Sequence, residues 1–309
     1  MRCPAPAFGV LLSLVLFSLP AAAQANADLA KGKQLLAQQK YKDAAAVLRK
    51  ANEQAGGQCA PCLVALAGAY NGMERYKEAI ATARQVIEVP IPQPLPPSLL
   101  ALAYNEYGAG LAKDDPERNL EKAEALLLTA IKLGGAAVNV AHYNLAEVYR
   151  RQGRHADAVS LARKYLANEP QGFVAVPARA VICRSAVEGA LPRTPADLSV
   201  LPKPGPGKAV AANGAQVALP RRLYATGLNL EDELYWARVR GSKLRAIIDL
   251  AVATDEDGCV REVQVVKGPG NDIEKALVHA VRNSLFEPPL LDGRPVAAAQ
   301  RLELRFNVR

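Results

Sequence analysis

A four-residue phrase that recurs four times in the first half of the chain constrains the fold more than any other feature. The four copies, YKDA, YKEA, LEKA and HADA, end in alanines that lie 35, 44 and 35 residues apart: Ala44, Ala79, Ala123 and Ala158. Each alanine leads an amphipathic helical pattern, and a second helical pattern with small and aromatic residues lies upstream. A repeat of this length with two helices per copy predicts stacked helix pairs over residues 28–189.

The small residues of this array make it resemble the tetratricopeptide repeat family. They stand at the close-contact position of each first helix: Gly32, Ala67, Gly108 and Ala146. Pro170 matches the proline that ends a repeat, whereas an insertion at 111–119 and a proline-rich run at 89–97 are expected to offset the third unit. Residues 173–189 are expected to cap the open end of the stack towards solvent. The resemblance implies a concave protein-binding surface without catalytic residues; the alternative is a helical spacer that binds nothing.

Residues 1–23 have the pattern of a secretory signal peptide. Arg2 precedes an apolar run at 8–19, and small residues follow Pro20. We expect cleavage after Ala23 or Ala25 and a periplasmic mature protein. The alternative is an uncleaved inner-membrane anchor, because the uncharged stretch 5–23 is just long enough to span a bilayer.

Cys59 and Cys62 form a Cys-Ala-Pro-Cys motif immediately before a predicted helix. Three interpretations stay open: a structural short-loop disulfide, half of a metal site, or a redox-active pair whose thiol pKa is lowered by the helix N-terminus. Zinc would need a second cysteine or histidine pair nearby, so we predict no metal site. Cys183 and Cys259 are either bridged to each other or free thiols.

A proline-rich segment at 190–220 separates the array from the rest of the chain. Its prolines lie at 192, 195, 202, 204, 206 and 220. Proline supplies no amide hydrogen and interrupts helices and central strands, so the segment is predicted to be a partly extended linker.

Residues 221–309 are predicted to form a small α+β domain. A helix at 229–240 precedes a strand that alternates apolar and polar residues over 244–252, a turn at Asp257-Gly258 and a second strand at 260–267. A helix then starts at Asp272, and a last strand covers 301–308. The predicted protein is therefore multidomain: an all-α repeat solenoid followed by a β-β-α-β domain.

This domain resembles the C-terminal domain of TonB-family proteins in the segments 252–268, 272–289 and 292–308, although Ser284 replaces the tryptophan usual in the family. The resemblance implies that the last strand pairs with a short segment of an outer-membrane transporter by strand addition. The residues of that strand are Gln300, Arg301, Leu302, Glu303, Leu304, Arg305, Phe306, Asn307 and Val308. The alternative is that the edge is covered within the molecule, or by a second copy in a homodimer.

The composition argues against an enzyme or a nucleic-acid-binding protein. The chain has three histidines, two methionines and one tryptophan, and its net charge of +8 is spread without a polybasic tract. No phosphate-binding loop or catalytic motif occurs, so we predict no catalytic residue, cofactor or small-molecule substrate. The predicted function is that of an exported adaptor with one protein partner in the repeat groove and another on the C-terminal domain. The alternatives are a thiol-disulfide redox protein that uses Cys59 and Cys62, and a membrane-anchored TonB-type energy transducer.

Overall fold

The computed structural model describes residues 21–88, 94–134, 138–189, 209–220, 222–225, 245–268, 270, 272–282 and 284–307. Most of the predicted signal peptide and the helix predicted at 229–240 therefore lie outside the described residues. No helix in the described part of the chain is long and apolar enough to cross a membrane.

The first half of the chain forms consecutive α-helices that pack as antiparallel pairs. Their bounds are α1 Ala21–Ala37, α2 Tyr41–Gln54, α3 Ala60–Gly72, α4 Tyr76–Glu88, α5 Pro97–Asp114, α6 Pro116–Gly134, α7 Asn139–Arg151, α8 His155–Asn168 and α9 Ala175–Glu188. The repeated phrase opens α2, α4 and α8, and its four alanines are fully buried. In the third unit Pro116 starts α6 one turn earlier than the phrase predicts, because proline is well suited to the first turn of a helix.

Glycines of the repeat pattern lie where two helices of a pair approach most closely. A β-carbon at Gly32 would lie 2.5 Å from Leu48 Cγ, and one at Gly108 would lie 2.8 Å from Leu127 Cγ. Leu48 and Leu127 are fully buried. These contacts explain why the first and third units carry glycine at this position, where a side chain would separate the helices.

The C-terminal domain is a five-stranded antiparallel sheet with a helix, α10 (Asp272–Arg282), against one face. The strands are β1 Ala209–Ala211, β2 Gln216–Val217, β3 Arg222–Ala225, β4 Arg245–Thr254, β5 Val260–Lys267, β6 Ser284–Phe286, β7 Leu290–Leu291, β8 Arg294–Pro295 and β9 Ala298–Asn307. The large sheet has the order β2-β1-β9-β4-β5, and β3-β6 and β7-β8 form two small ladders. Its apolar core comprises Ile248, Leu250, Val252, Val263, Leu277, Val281 and Phe286. The predicted β-β-α-β order is thus confirmed, with short strands added around it.

The prediction of a linker throughout 190–220 is wrong at its C-terminal end. Residues 209–217 form the β1-β2 hairpin, and β1 lies between β2 and β9 in the sheet. No proline lies between 208 and 219, and the turn contains Asn213-Gly214 with Gly214 at φ 84°. The Asn213 side chain accepts a hydrogen bond from the Ala215 N–H, which stabilises this turn. Residues 190–208 lie outside the described part of the chain.

Candidate protein-binding surfaces

A cavity of about 90 Å³ opens between the first helices of the third and fourth pairs. Its lining comes from α5 and α7: Ala109, Ala112, Lys113, Tyr143, Asn144, Glu147 and Arg151. The cavity has room for a few water molecules or for a side chain of a bound segment.

The cavity combines cationic and aromatic groups. Lys113 and Arg151 flank it on the two helices, and Glu147 supplies one carboxylate. The Arg151 guanidinium donates a hydrogen bond to the Ala112 carbonyl and so connects α7 to α5. Burial raises the pKa of Tyr143 to about 12, and the charge of Glu147 acts in the same direction. The phenol therefore stays neutral and keeps its hydrogen for donation.

A chain of amide side chains connects α3, α5 and α7 beside this cavity. Asn71 Nδ2 donates to Glu106 Oε2 at 2.8 Å and to the Glu106 carbonyl at 3.0 Å, so the contact bridges α3 and α5. Asn105 Nδ2 donates to Glu106 Oε1 at 3.1 Å, and Asn144 Nδ2 donates to Asn105 Oδ1 at 2.9 Å. The network thus crosses three successive first helices.

Desolvation raises the pKa of Glu106, while the hydrogen bonds from Asn71 and Asn105 oppose that rise. None of these residues is among the predicted site residues. The sequence feature that could have indicated them is asparagine inside predicted helices. Asparagine has low helix propensity, so its presence there suggests that the side chain makes a specific contact.

Within the described residues, the predicted pairing strand β9 has neighbours on both sides over part of its length. β4 pairs with β9 over its whole length, from Arg245 opposite Asn307 to Thr254 opposite Ala298. On its other side β1 pairs with residues 298–300 alone, and no other described strand pairs with residues 301–307 there. The expectation that Gln300 belongs to the open edge is wrong, because Gln300 pairs with Ala209 and is buried.

At positions 301–303 of β9, charged side chains lie on the face opposite the apolar core. Arg301 forms a two-point ion pair with Asp249 on β4, and Glu303 is exposed. Leu302 points to the other face and packs against the apolar core. Val308 lies outside the described residues, and the side chains of Leu304, Arg305, Phe306 and Asn307 are not described.

Cys59 and Cys62 form a disulfide at the N-terminus of α3. Cys59 is the N-cap residue and half-buried, its Sγ accepts a hydrogen bond from the Cys62 N–H at 3.3 Å, and Cys62 is fully buried. Both sulfurs are used by this bond, which leaves neither as a metal ligand. A redox role for the pair stays a prediction.

Cys183 and Cys259 are bridged to each other. Of the two alternatives left by the sequence, the structure therefore contains the disulfide. It joins α9 to the residue that precedes β5 and thus connects the repeat array to the C-terminal domain.

Family models match three segments of the chain. Residues 60–90 and 141–172 each match a tetratricopeptide repeat, and residues 232–308 match the Gram-negative bacterial TonB protein C-terminal model. Comparison with curated proteins gives no match.

Solved structures of repeat proteins align with the helical half. A thermophilic tetratricopeptide-repeat protein of Thermus thermophilus is 20% identical, with 53% of this chain and 81% of that chain covered and a TM-score of 0.43. PilW, a type IV pilus biogenesis factor, is 20% identical, with coverage of 54% and 70% and a TM-score of 0.42. MamA protein is 20% identical, with coverage of 54% and 84% and a TM-score of 0.38. The family models confirm both resemblances noted in the sequence: the chain carries tetratricopeptide repeats followed by a TonB C-terminal domain. Both are protein-interaction modules.

Proposed function

We propose that this protein is a periplasmic adaptor that holds two protein partners at once. One partner binds the repeat groove at the cavity between α5 and α7. The other adds a strand to the open part of β9, and an outer-membrane transporter is the partner that the TonB resemblance suggests. Export rests on the signal-peptide pattern of residues 1–23.

The pairing of strand β9 is the observation that carries this proposal. Among the described residues β1 begins at Ala209 and pairs with β9 as far as Gln300, while pairing with β4 continues to Asn307. No described strand pairs with residues 301–307 on the side away from β4, and we propose that their backbone groups there form hydrogen bonds with another extended segment. In strand addition such main-chain bonds supply affinity, and alternate side chains supply selectivity.

The charge and the size of the cavity suggest which side chain of a groove partner it accepts. Lys113 and Arg151 lie on either side of a cavity that holds one small side chain. Opposite charge across an interface steers encounter and excludes wrong partners. We therefore propose a segment that places a small acidic or polar side chain, such as aspartate or asparagine, in this cavity.

Site-specific photo-crosslinking in cells tests the strand partner. A crosslinker at Glu303, which is exposed on β9, is compared with one at Gln264, which is exposed on β5 at the opposite end of the sheet. We expect a transporter of the outer membrane, identified by mass spectrometry, from position 303 alone. Equal capture from both positions, or none from 303, would contradict strand addition.

The groove partner is tested in the same way. A crosslinker at Lys113 beside the cavity is compared with one at Lys132, an exposed residue of the second helix α6. We expect a specific product from position 113 that the charge reversal Arg151→Glu abolishes. A product that survives this reversal would refute the proposed role of the cationic pair. The mass of the mature N-terminus tests export separately, with a start at Gln24 or Asn26 expected.

A further inference from the structure

The β4-β5 turn of the C-terminal domain contacts the last helices of the repeat array. Asp257 lies in this turn, and its Oδ2 accepts a hydrogen bond from Nη2 of Arg163 on α8 at 2.7 Å. Nε of the same guanidinium lies 3.4 Å from Oδ1, so the carboxylate is held at two points. Only 13% of the Asp257 side chain is exposed, although Arg163 is 54% exposed. The repeat array therefore covers this carboxylate.

Cys259, which follows the turn, is part of the array's apolar core. It is 3% exposed and belongs to the same buried cluster as Tyr165, Val181 and Ile182 of α8 and α9. Its sulfur is bonded to Cys183 on α9, 76 residues earlier in the sequence. Cys183 is half-buried, so it is the more exposed residue of the pair.

Two further polar contacts surround the disulfide. Gln171 Nε2 donates to Glu287 Oε1 at 3.3 Å, which joins the segment before α9 to the end of β6. Arg179 on α9 lies within electrostatic range of both Asp257 and Glu287. Burial lowers the pKa of Arg179, and these two carboxylates oppose the shift. The helix predicted to cap the array towards solvent is thus partly covered by the C-terminal domain.

These polar contacts are too few to hold two domains together by themselves. An ion pair with one half-exposed partner contributes little, because water still solvates the Arg163 guanidinium and ordering the side chains costs entropy. The backbone connection does not fix the position either, since the residues between α9 and β1 can span about 70 Å when extended. Among the contacts of the described residues, the disulfide is therefore the strongest constraint on how the domains sit.

We infer that α8 and α9 form a docking surface for the β4-β5 turn and that the Cys183–Cys259 disulfide is a redox-sensitive latch on it. In the oxidised protein the latch fixes β9 relative to the repeat groove. A dithiol releases it: one thiolate attacks the Cys183 sulfur, the bond to Cys259 breaks, and the second thiol of the reductant displaces Cys183. Two electrons and two protons pass to the protein, which gains two thiols while the reductant becomes a disulfide. This inference does not depend on the identity of either partner.

Small-angle X-ray scattering of the full chain tests the latch. The wild type, the double variant Cys183→Ser/Cys259→Ser and the control Cys59→Ser/Cys62→Ser are compared under oxidising conditions. We expect a larger maximum dimension for the first double variant alone, and the same increase in the control after reduction with dithiothreitol. Circular dichroism of each sample establishes that the domains stay folded, and peptide mapping of the oxidised wild type should contain the 183–259 crosslink. An unchanged scattering profile in folded Cys183→Ser/Cys259→Ser, or absence of the crosslink, would overturn the latch.

Thiol-disulfide equilibrium tests the docking surface independently of the latch. The protein used has serine at the other three cysteine positions. Its Cys183–Cys259 disulfide is equilibrated with glutathione, and the equilibrium constant gives the effective concentration of the Cys183 thiol near the Cys259 thiol. Arg163→Glu places two carboxylates together and should lower this concentration by up to about fivefold, the range of an exposed pair. The exchanged pair Arg163→Glu/Asp257→Arg should restore it. If Arg163→Glu has no effect, or if the exchange does not restore the value, the turn does not dock through this pair.

Discussion

The same substitution, glycine to alanine, should have opposite effects at two helix positions of the array. Gly108 lies in α5 against α6, where an added β-carbon would stand 2.8 Å from Leu127 Cγ and 3.1 Å from the Ala123 carbonyl oxygen. Gly68 lies in α3, where the nearest atom to an added β-carbon is in the Glu106 carboxylate at 3.6 Å, an ordinary contact. Both substitutions therefore gain the same helix propensity, and they differ only in how the added methyl group packs.

The gain in helix propensity and the cost of overpacking can both be given magnitudes. Alanine is more favourable than glycine inside a helix by about 1 kcal/mol. Overpacking of a buried contact costs about 1–3 kcal/mol, and Leu127 cannot move outward because it is fully buried. We therefore expect Gly68→Ala to raise the free energy of unfolding by about 1 kcal/mol, from propensity alone. Gly108→Ala should lower it by about 1 kcal/mol, because the strain exceeds the gain.

Urea denaturation of the full chain, followed by the helical circular dichroism signal, measures this difference. A Leu127→Ala background separates steric strain from other causes, because it removes the side chain that the new β-carbon would crowd. In this background Gly108→Ala should lower the free energy of unfolding by less than it does in the wild type. The reasoning is refuted if Gly108→Ala stabilises the protein as much as Gly68→Ala does. It is also refuted if the cost is the same in both backgrounds.

The Asp249–Arg301 ion pair and the Cys59–Cys62 disulfide each give a further prediction. The Arg301 hydrogen bond lowers the pKa of Asp249 below its ordinary 3.8, so the ion pair stabilises the fold above that pH and the contribution is lost as the pH falls through the lowered value. Asp249→Asn should therefore lower the melting temperature near neutral pH, and the difference from wild type should vanish in acid; a difference independent of pH would contradict this. For Cys59 and Cys62 we expect the disulfide to persist to strongly reducing potentials in a thiol titration, whereas opening in a mild redox buffer would instead identify a redox site.

Local patterns in the sequence were sufficient for several element boundaries. The repeated phrase predicts the starts of α2, α4 and α8, because its alanine must lie in the contact between paired helices. Likewise β5 occupies the predicted residues 260–267, since the Asp257-Gly258 turn fixes the hairpin and Gly258 takes φ 85°. In both cases neighbours along the chain determine the structure.

Contacts between distant segments were not predictable in this way. The hairpin at 209–217 consists mainly of alanine and small polar residues, so its strand pattern is weak; pairing with β9, some 90 residues away, is what makes it part of the sheet. The asparagine network across α3, α5 and α7 likewise depends on the superhelical stacking of separate repeats. Neither contact can be predicted from a single window of sequence, although asparagine inside a predicted helix marks positions of the network.

The short strand β1 limits where another strand could pair with β9. It covers Ala298 to Gln300 on the side of β9 away from β4. A longer unpaired edge would invite association with any extended chain. A strand added to β9 as proposed would be excluded by β1 from residues 298–300. Because a shift of one residue would turn every side chain of that strand to the opposite face, a barrier at this end would disfavour registers that overlap β1 and so contribute to partner selectivity.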